Sequence, residues 1–107
     1  MTKYHVTKGR AFDNDMERIH TYMLHGNYYE STIKSVFEAF YRDLQRLRTS
    51  PKIGEKLSSR VAIPNDYRYL MSGDYLIFYK LDEKENLVQV IHVYHGRENY
   101  LAKLNLN

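Results

Sequence analysis

The second half of the chain contains three strand-like runs that are separated by connections of only a few residues. The runs are "DYRYLM" (66–71), "DYLIFYKL" (74–81) and "NLVQVIHVY" (86–94), with "SGD" and the charged segment "DEKEN" between them. Connections this short force neighbouring strands to pair antiparallel. Residues 75–81 are almost continuously apolar, which predicts the central strand, and residues 87–95 are expected to form the last strand.

The first half is predicted to form one strand and two amphipathic helices. Residues 3–8 alternate and are rich in strand formers, and from Phe12 onward apolar residues recur at helical spacing. Asp13 is the expected N-cap of the first helix, and Gly26 is expected to end it in a left-handed conformation. The second helix ends before Pro51, which cannot continue it. Its apolar stripe consists of Ile33, Val36, Phe37, Phe40, Leu44 and Leu47.

These elements predict an α+β fold in a single domain over residues 1–107. The order is an N-terminal strand, a helical hairpin and a three-stranded antiparallel meander. The apolar sides of both helices need a sheet to cover, so we expect both helices on one face of a small sheet. A chain of 107 residues has room for one modest core.

Composition narrows the possible classes of function. The absence of cysteine excludes disulfides, thiolate metal sites and a cysteine nucleophile, and it fits a reducing cytoplasm. The first residues include no apolar run long enough for a signal peptide or a membrane span, so we expect a cytoplasmic protein that does not associate with membranes. The net charge of +3 is compatible with binding either phosphates or an acidic protein, and it does not distinguish between them.

The last predicted strand leads directly into a cluster of polar rings. After it, Gly96 allows the backbone to turn, so that Arg97 and Tyr100 can fold back toward the same end of the sheet, near Arg68 on an adjacent strand. Imidazole, guanidinium and phenol groups together could move protons and neutralise a phosphate, as RNA cleavage by a 2′-hydroxyl requires. Alternation predicts two faces for the strand, one with Ile91, Val93 and His95 and the other with Val90, His92 and Tyr94.

Each of these residues also has a purely structural interpretation. His92 can be a half-buried sheet residue, Arg97 can pair with Glu98, and Tyr100 can pack beside Leu101. Other chemistries have less support, because the five glycines are scattered singly and no spacing of histidines or carboxylates is typical of a metal site. We therefore expect neither a cofactor nor a metal.

The order of elements and three motifs resemble the RelE/ParE superfamily of bacterial toxins. The motifs are Arg68 within "DYRYLM", the hairpin "SGDYLIFYKL", and "VIHVYHGRENYLAKL", which is similar to the valine, histidine, glycine, arginine ending of the family. The segment "SPKIGEKLSSRV" is also similar to the one that precedes these strands in the family. The resemblance implies a growth-arresting toxin of a type II toxin–antitoxin system, neutralised by a cognate antitoxin whose helix and extended tail wrap around it.

The resemblance leaves two targets open. RelE-like members cleave mRNA in the ribosomal A site, whereas ParE-like members inhibit DNA gyrase. Many nuclease members place an arginine right after the first tyrosine of the central strand, where this chain has Leu76 after Tyr75. This departure and the "YLIFY" and "HGRENYL" stretches favour the ParE-like branch. His92 and His95 keep a ribosome-dependent mRNA endoribonuclease as the alternative.

Each alternative implies its own functional residues. In a nuclease, His92 or His95 would act as acid or base, Arg68 and Arg97 would hold the phosphate, and Tyr100 would lie near the nucleophile. In a gyrase inhibitor, the expected target contacts are Arg97 and Tyr100 together with other surface arginines. These are Arg42, Arg46, Arg48, Arg60 and Arg68.

The antitoxin is expected to bury an apolar surface on the toxin. The groove between the helical hairpin and the sheet is the predicted place, with Tyr28, Tyr29 and Tyr41 as rim anchors. Packing of these three rings within the hairpin is the alternative.

Overall fold

The computed structural model describes residues 3–106 and contains three α-helices and five strands within them. The sheet and the helical hairpin fill most of the chain, and a single 3₁₀ turn spans Leu57–Ser59. In chain order the elements are β1 (His5–Lys8), α1 (Arg10–His25), α2 (Glu30–Arg46), β2 (Glu55–Lys56), β3 (Arg68–Ser72), β4 (Tyr75–Asp82), β5 (Leu87–His95) and α3 (Tyr100–Lys103). No helix within these residues combines the length and apolar character needed to cross a membrane.

The five strands form one mixed sheet in the order β1-β5-β4-β3-β2. Strands β3, β4 and β5 make the predicted antiparallel meander with β4 at its centre. Strand β1 lies parallel to β5, which leaves one parallel pair at an edge, and the two-residue β2 adds an antiparallel strand that the sequence did not indicate. The α+β class, with a helical hairpin on one face of the sheet, is confirmed.

The N-cap of α1 and the conformation of Gly26 at its other end are not the predicted ones. The helix begins at Arg10 with Gly9 as its N-cap, so Asp13 lies inside the first turn and the prediction of an Asp13 cap is wrong. The Gly9 N–H bonds the carbonyl of Val90 on β5, which brings the chain from β1 straight into the helix. At the other end Gly26 has φ −84° and Asn27, at φ 59°, takes the left-handed conformation, which asparagine tolerates better than most residues.

Helices α1 and α2 cover one face of the sheet, which is called the helix face below. The core between them includes Tyr79 of β4, whose ring is fully buried. The Tyr79 hydroxyl accepts the Gly54 N–H at 3.0 Å and donates to the Pro51 carbonyl at 2.7 Å, so the segment after α2 is tied to the centre of the sheet. The other buried members are Phe12, Ile19, Met23, Ile33, Phe40, Leu44, Leu47, Leu70, Ile77, Val88, Val90 and Val93.

A second core lies on the opposite face of the sheet, so the expectation of a single core is wrong. Phe78 of β4 is completely buried at its centre. The tail that follows β5 and the 3₁₀ turn cover this face, because both supply apolar residues that would otherwise be exposed. The buried members are Leu57, Tyr69, Leu76, Phe78, Tyr94, Leu104 and Leu106.

A β-bulge in β5 changes the predicted distribution of side chains. Phe78 pairs with His92 and Tyr79 pairs with Val90, so Ile91 has no partner on β4. The extra residue reverses the alternation at this point. Val90 therefore lies in the helix-face core, and the prediction that it shares a face with His92 is wrong.

Candidate functional site

His92 is held at the edge of the sheet by an acid from α1. Its Nδ1 lies 2.8 Å from Oδ2 of Asp15, and the same oxygen accepts the backbone N–H of Val93 at 3.1 Å. The pairing of β1 with β5 ends at Val90, so Asp15 takes the place of a neighbouring strand beyond that point. Asp15 thus links α1 to β5, and this contact places the Nδ1 hydrogen of the imidazole toward the carboxylate.

Tyr94 packs against the His92 ring and contacts the same nitrogen. The two rings stack at 4.8 Å, and the Tyr94 hydroxyl lies 2.9 Å from Nδ1 of His92. Burial, together with the nearby charge of Asp15, raises the pKa of Tyr94 to about 12. The phenol therefore stays protonated at neutral pH and cannot serve as a base there.

His95 lies on the helix face, away from His92. It pairs with Tyr75 across β4 and β5, and the two rings meet edge to face at 5.2 Å. Nδ1 of His95 accepts the backbone N–H of Arg97 at 3.0 Å. In a neutral ring the proton is then on Nε2, which makes His95 a hydrogen-bond donor through its other nitrogen.

Glu98 organises the turn after β5, and its partners are not the predicted one. Its carboxylate accepts the His95 N–H at 2.6 Å and pairs with Arg18 at 3.3 Å and with Lys103. Partial burial acts to raise the pKa of Glu98, but the hydrogen bonds from Lys103 and the His95 N–H, with the charge of Arg18, outweigh it, so this pKa is lowered. Arg97 is exposed and makes no ion pair with Glu98 or with any other residue in 3–106.

Replacing Glu98 by glutamine is expected to make stability less dependent on pH. Because the pKa of Glu98 is lower in the folded state, its contribution is present above the ordinary glutamate pKa, about 4.3, and is lost as pH falls through the lowered value. Glu98→Gln should therefore be less stable than the wild type near neutral pH, and the difference should shrink in acid. Urea unfolding across this pH range measures it.

Glu38→Gln is the matched control for this experiment, because Glu38 is exposed on α2 and its one ion pair within residues 3–106 is with Lys34, at 3.8 Å. Exposed pairs of this kind contribute little to stability. A destabilisation by Glu98→Gln that is equally large at acidic and neutral pH would contradict the assigned role of its charge.

Tyr100 lies on the face of the sheet opposite the helix face, and its ring centroid is 5.4 Å from that of Phe78. It lines a recess of about 700 Å³, called the Tyr100 recess below, together with Arg60, Glu55 and Tyr69. Glu55 accepts the Tyr69 hydroxyl at 2.6 Å and pairs with Arg60 at 3.3 Å, and these contacts lower the pKa of Glu55. Burial, with the bond to Glu55, raises the pKa of Tyr69 to about 12.

The remaining predicted arginines occupy unrelated parts of the surface. Arg68 donates to the Gly54 carbonyl at 2.8 Å, so its guanidinium stabilises the segment before β2. On α2, Arg46 pairs with the buried Asp43 at 3.1 Å, whereas Arg42 is exposed on the outer surface. Arg48, just after α2, bonds Gln45 at 3.2 Å.

The predicted site residues therefore form two groups on opposite faces of the sheet. His92 and Tyr100 share the face with Phe78, while His95 and Arg97 belong to the helix-face side. Asp15 was not among the predicted site residues, although its spacing from Phe12 and Ile19 places it on the buried side of α1. The contacts of Glu98 were not predicted either, because Arg18 is distant from it in sequence.

A cleft between the helical hairpin and the β3–β4 turn lies on the helix-face side, and it is called the hairpin cleft below. Tyr28 lines it and is 45% exposed, which fits a rim position. Tyr29 and Tyr41 are exposed outside the cleft, and Lys8 lies over the Tyr41 ring at 5.7 Å. The three predicted rim tyrosines are therefore exposed, and one of them borders this cleft.

A helical hairpin on one face of a small sheet, with charged and aromatic residues at the turn after the last strand, defines the class of RelE/ParE-type toxins. The sequence model of the ParE toxin of type II toxin–antitoxin systems, parDE, matches residues 8–100, and the chain belongs to this family. It is thus a toxin of a type II toxin–antitoxin system, and its partner is an antitoxin.

The fold is also found among solved structures. A chain of the toxin–antitoxin complex RelBE2 from Mycobacterium tuberculosis matches with a TM-score of 0.57 and 16% sequence identity, over 88% of this chain and 99% of that chain. Identity at this level supports the shared fold alone. No curated protein matched the sequence significantly.

Proposed function

We propose that this toxin arrests growth in the cytoplasm by binding to and inhibiting DNA gyrase, and that it does so without cleaving RNA. The observation that carries the proposal is the separation of the two histidines onto opposite faces of the sheet. A metal-independent nuclease needs an acid and a base near one phosphate. Membership of the ParE family supports the same conclusion.

The environment of Leu76 also supports binding over catalysis. Nuclease relatives are expected to place an arginine at this position, but Leu76 is only 5% exposed and belongs to the second core. His92 is likewise committed to a structural contact with Asp15. The position expected to hold the phosphate is therefore a buried leucine, and one of the two candidate catalytic histidines is engaged by Asp15.

The proposed target contacts are the arginines whose charges are least engaged by the protein itself. Arg97 at the turn after β5 and Arg42 on the outer surface of α2 are exposed, and neither forms an ion pair within residues 3–106. Arg46, Arg60 and Arg68 are held by internal partners, so they are secondary candidates. Exposed charges at the rim of an interface chiefly change the rate of association.

Excess purified toxin is expected to stop supercoiling of relaxed plasmid by gyrase, while mRNA on programmed ribosomes stays intact. Arg42→Glu should weaken the inhibition severalfold, because a reversed charge repels an acidic partner surface. The control is Lys84→Glu, which makes the same charge reversal at an exposed residue of the β4–β5 turn. Supercoiling at the normal rate in the presence of excess toxin would contradict the proposal.

A ribosome-dependent endoribonuclease is the second candidate function, and the Tyr100 recess favours it. Arg60, Glu55, Tyr69 and Tyr100 bring a cation, a carboxylate and two phenols together beside one cavity. In this alternative, cleavage in the A site would be lost in Arg60→Ala and Glu55→Gln toxin that remains folded. The predicted dependence on His95 and Arg97 is tested in the same assay with His95→Ala and Arg97→Ala.

The exposed tyrosines of the hairpin are the proposed anchors for the antitoxin. Tyr28, Tyr29 and Tyr41 present large rings to solvent, and aromatic residues of this kind often dominate protein interfaces. Tyr29, at 81% exposure, has the most surface to bury.

A further inference from the structure

The hairpin cleft has the size of a site for a small molecule. Its volume is about 730 Å³, within the range typical of ligand pockets. Its walls are mainly apolar and aromatic, with Thr32, Ser35 and Arg18 as polar members, and they come from α1, α2, the turn between them and the start of β4. The wall residues include Ile19, Tyr22, Met23, Tyr28, Val36 and Tyr75.

Ser72 at the end of β3 lines the same cleft and carries an unused hydrogen-bonding group. Ser72 is only 5% exposed, and its hydroxyl has no hydrogen-bond partner within the part of the chain that the structure describes. Buried hydroxyl groups in native proteins nearly always have a partner, so one that lacks it points to a further binding group.

The other polar groups at this end of the cleft are mainly donors. Nδ1 of His95 is occupied by the Arg97 N–H, which leaves the Nε2 hydrogen to donate. Burial raises the pKa of Tyr75, so its phenol keeps its proton. The Arg97 guanidinium adds a positive charge at the lining.

Two carboxylates also border the cleft and bear on its charge. Glu98 is engaged by Arg18, Lys103 and the His95 N–H, so little of its acceptor capacity remains. Asp74, in the exposed β3–β4 turn, is the carboxylate without an ion pair among the lining residues. The donors therefore outnumber the unengaged acceptors at this end.

We propose that the hairpin cleft binds a small organic anion with a flat apolar body. The anionic head contacts Arg97, Ser72 and His95, and the body lies between the aromatic walls that include Tyr22 and Tyr28. This inference goes beyond the proposed action on gyrase, because it concerns a ligand of the free toxin and holds whichever macromolecule the toxin attacks.

The test is a titration of the full-length, ¹⁵N-labelled toxin followed by NMR, with three probes of matched shape. Phenylacetate and phenyl phosphate carry the two kinds of anionic head, and phenylacetamide is the neutral counterpart. We expect saturable shifts at cleft residues with dissociation constants of about 1 mM or below for at least one anion, and much weaker binding of the amide. The anion that binds more tightly identifies the head group.

Two variants test the assigned contacts. Arg97→Gln is expected to weaken anion binding about tenfold, because it removes a charge-assisted hydrogen bond, and Ser72→Ala is expected to weaken it by a smaller factor. Lys84→Gln, which removes a charge far from the cleft, should bind as the wild type does.

Several results would overturn the inference. These are equal affinity for the amide and the anions, unchanged affinity in Arg97→Gln or Ser72→Ala, or shifts centred on the Tyr100 recess. Absence of saturable binding by all three probes would also overturn it. If none of the probes binds in the cleft but the antitoxin covers it, the cleft is part of the antitoxin interface instead.

Discussion

Gly54→Ala is expected to destabilise the toxin by about 3 kcal/mol, at the upper end of the cost of overpacking a core. A Cβ at this position would lie 2.5 Å from the Tyr79 hydroxyl and 2.6 Å from the Tyr69 carbonyl oxygen, closer than real Cβ atoms approach. The backbone would have to move, and the Gly54 N–H would then lose its bond to the buried Tyr79 hydroxyl. The same movement would strain the Arg68 contact to the Gly54 carbonyl.

Thermal unfolding of a domain this small should show the change as a fall in Tm of roughly 10 to 20 °C. Gly96→Ala is the matched control, because the nearest atom to its added Cβ is 3.4 Å away, an ordinary contact. Equal melting temperatures for the two variants would show that the backbone around Gly54 moves easily, which would contradict its tight packing against Tyr79 and Tyr69.

Asp15→Ala is expected to cost about 2 to 3 kcal/mol, because it leaves the buried Val93 N–H without an acceptor and removes the partner of His92. The ion pair with Arg18 contributes little to this figure, since its atoms are 3.9 Å apart and the Arg18 side chain is 46% exposed. Urea unfolding gives the free energy, and the NMR signals of the His92 ring report the loss of its fixed position.

The control for this experiment is Asp13→Ala, which removes an exposed acid from the first turn of the same helix. Its expected cost is about 0.3 to 1 kcal/mol, the usual contribution of a charge near a helix N-terminus. Asp15→Asn keeps one acceptor and should recover part of the loss. If Asp13→Ala and Asp15→Ala destabilise equally, the carboxylate of Asp15 does not bridge α1 and β5 as described.

Much of the fold could be predicted because it depends on local sequence. Helical spacing of apolar residues indicated α1 and α2, and the short connections after Ser72 and Asp82 required the antiparallel meander. The position of β1 could not be obtained in this way, because its parallel pairing with β5 joins residues such as His5 and Leu87 that are far apart in sequence. The second core was missed for the same reason, since Leu104 and Leu106 return from the tail to cover β4.

The candidate site was predictable in its composition but less so in its geometry. Alternation correctly separated His92 from His95, because β5 pairs regularly between them. The bulge at Ile91 changed the side of Val90, and no residue in the sequence marks that bulge. The partners of Glu98 also could not be inferred, since Arg18 reaches Glu98 from another element.

The sequence by itself determined the two long helices, the antiparallel pairing of β3, β4 and β5, and the toxin family that the chain resembles, since these follow from spacing and motifs within short stretches. Only the tertiary structure decided which polar groups are engaged and which are free. Asp15 and His92 are 77 residues apart, yet their contact determines what the imidazole can do. The physical reason is that the availability of a side chain depends on what the folded chain brings against it, and that information lies outside any local pattern.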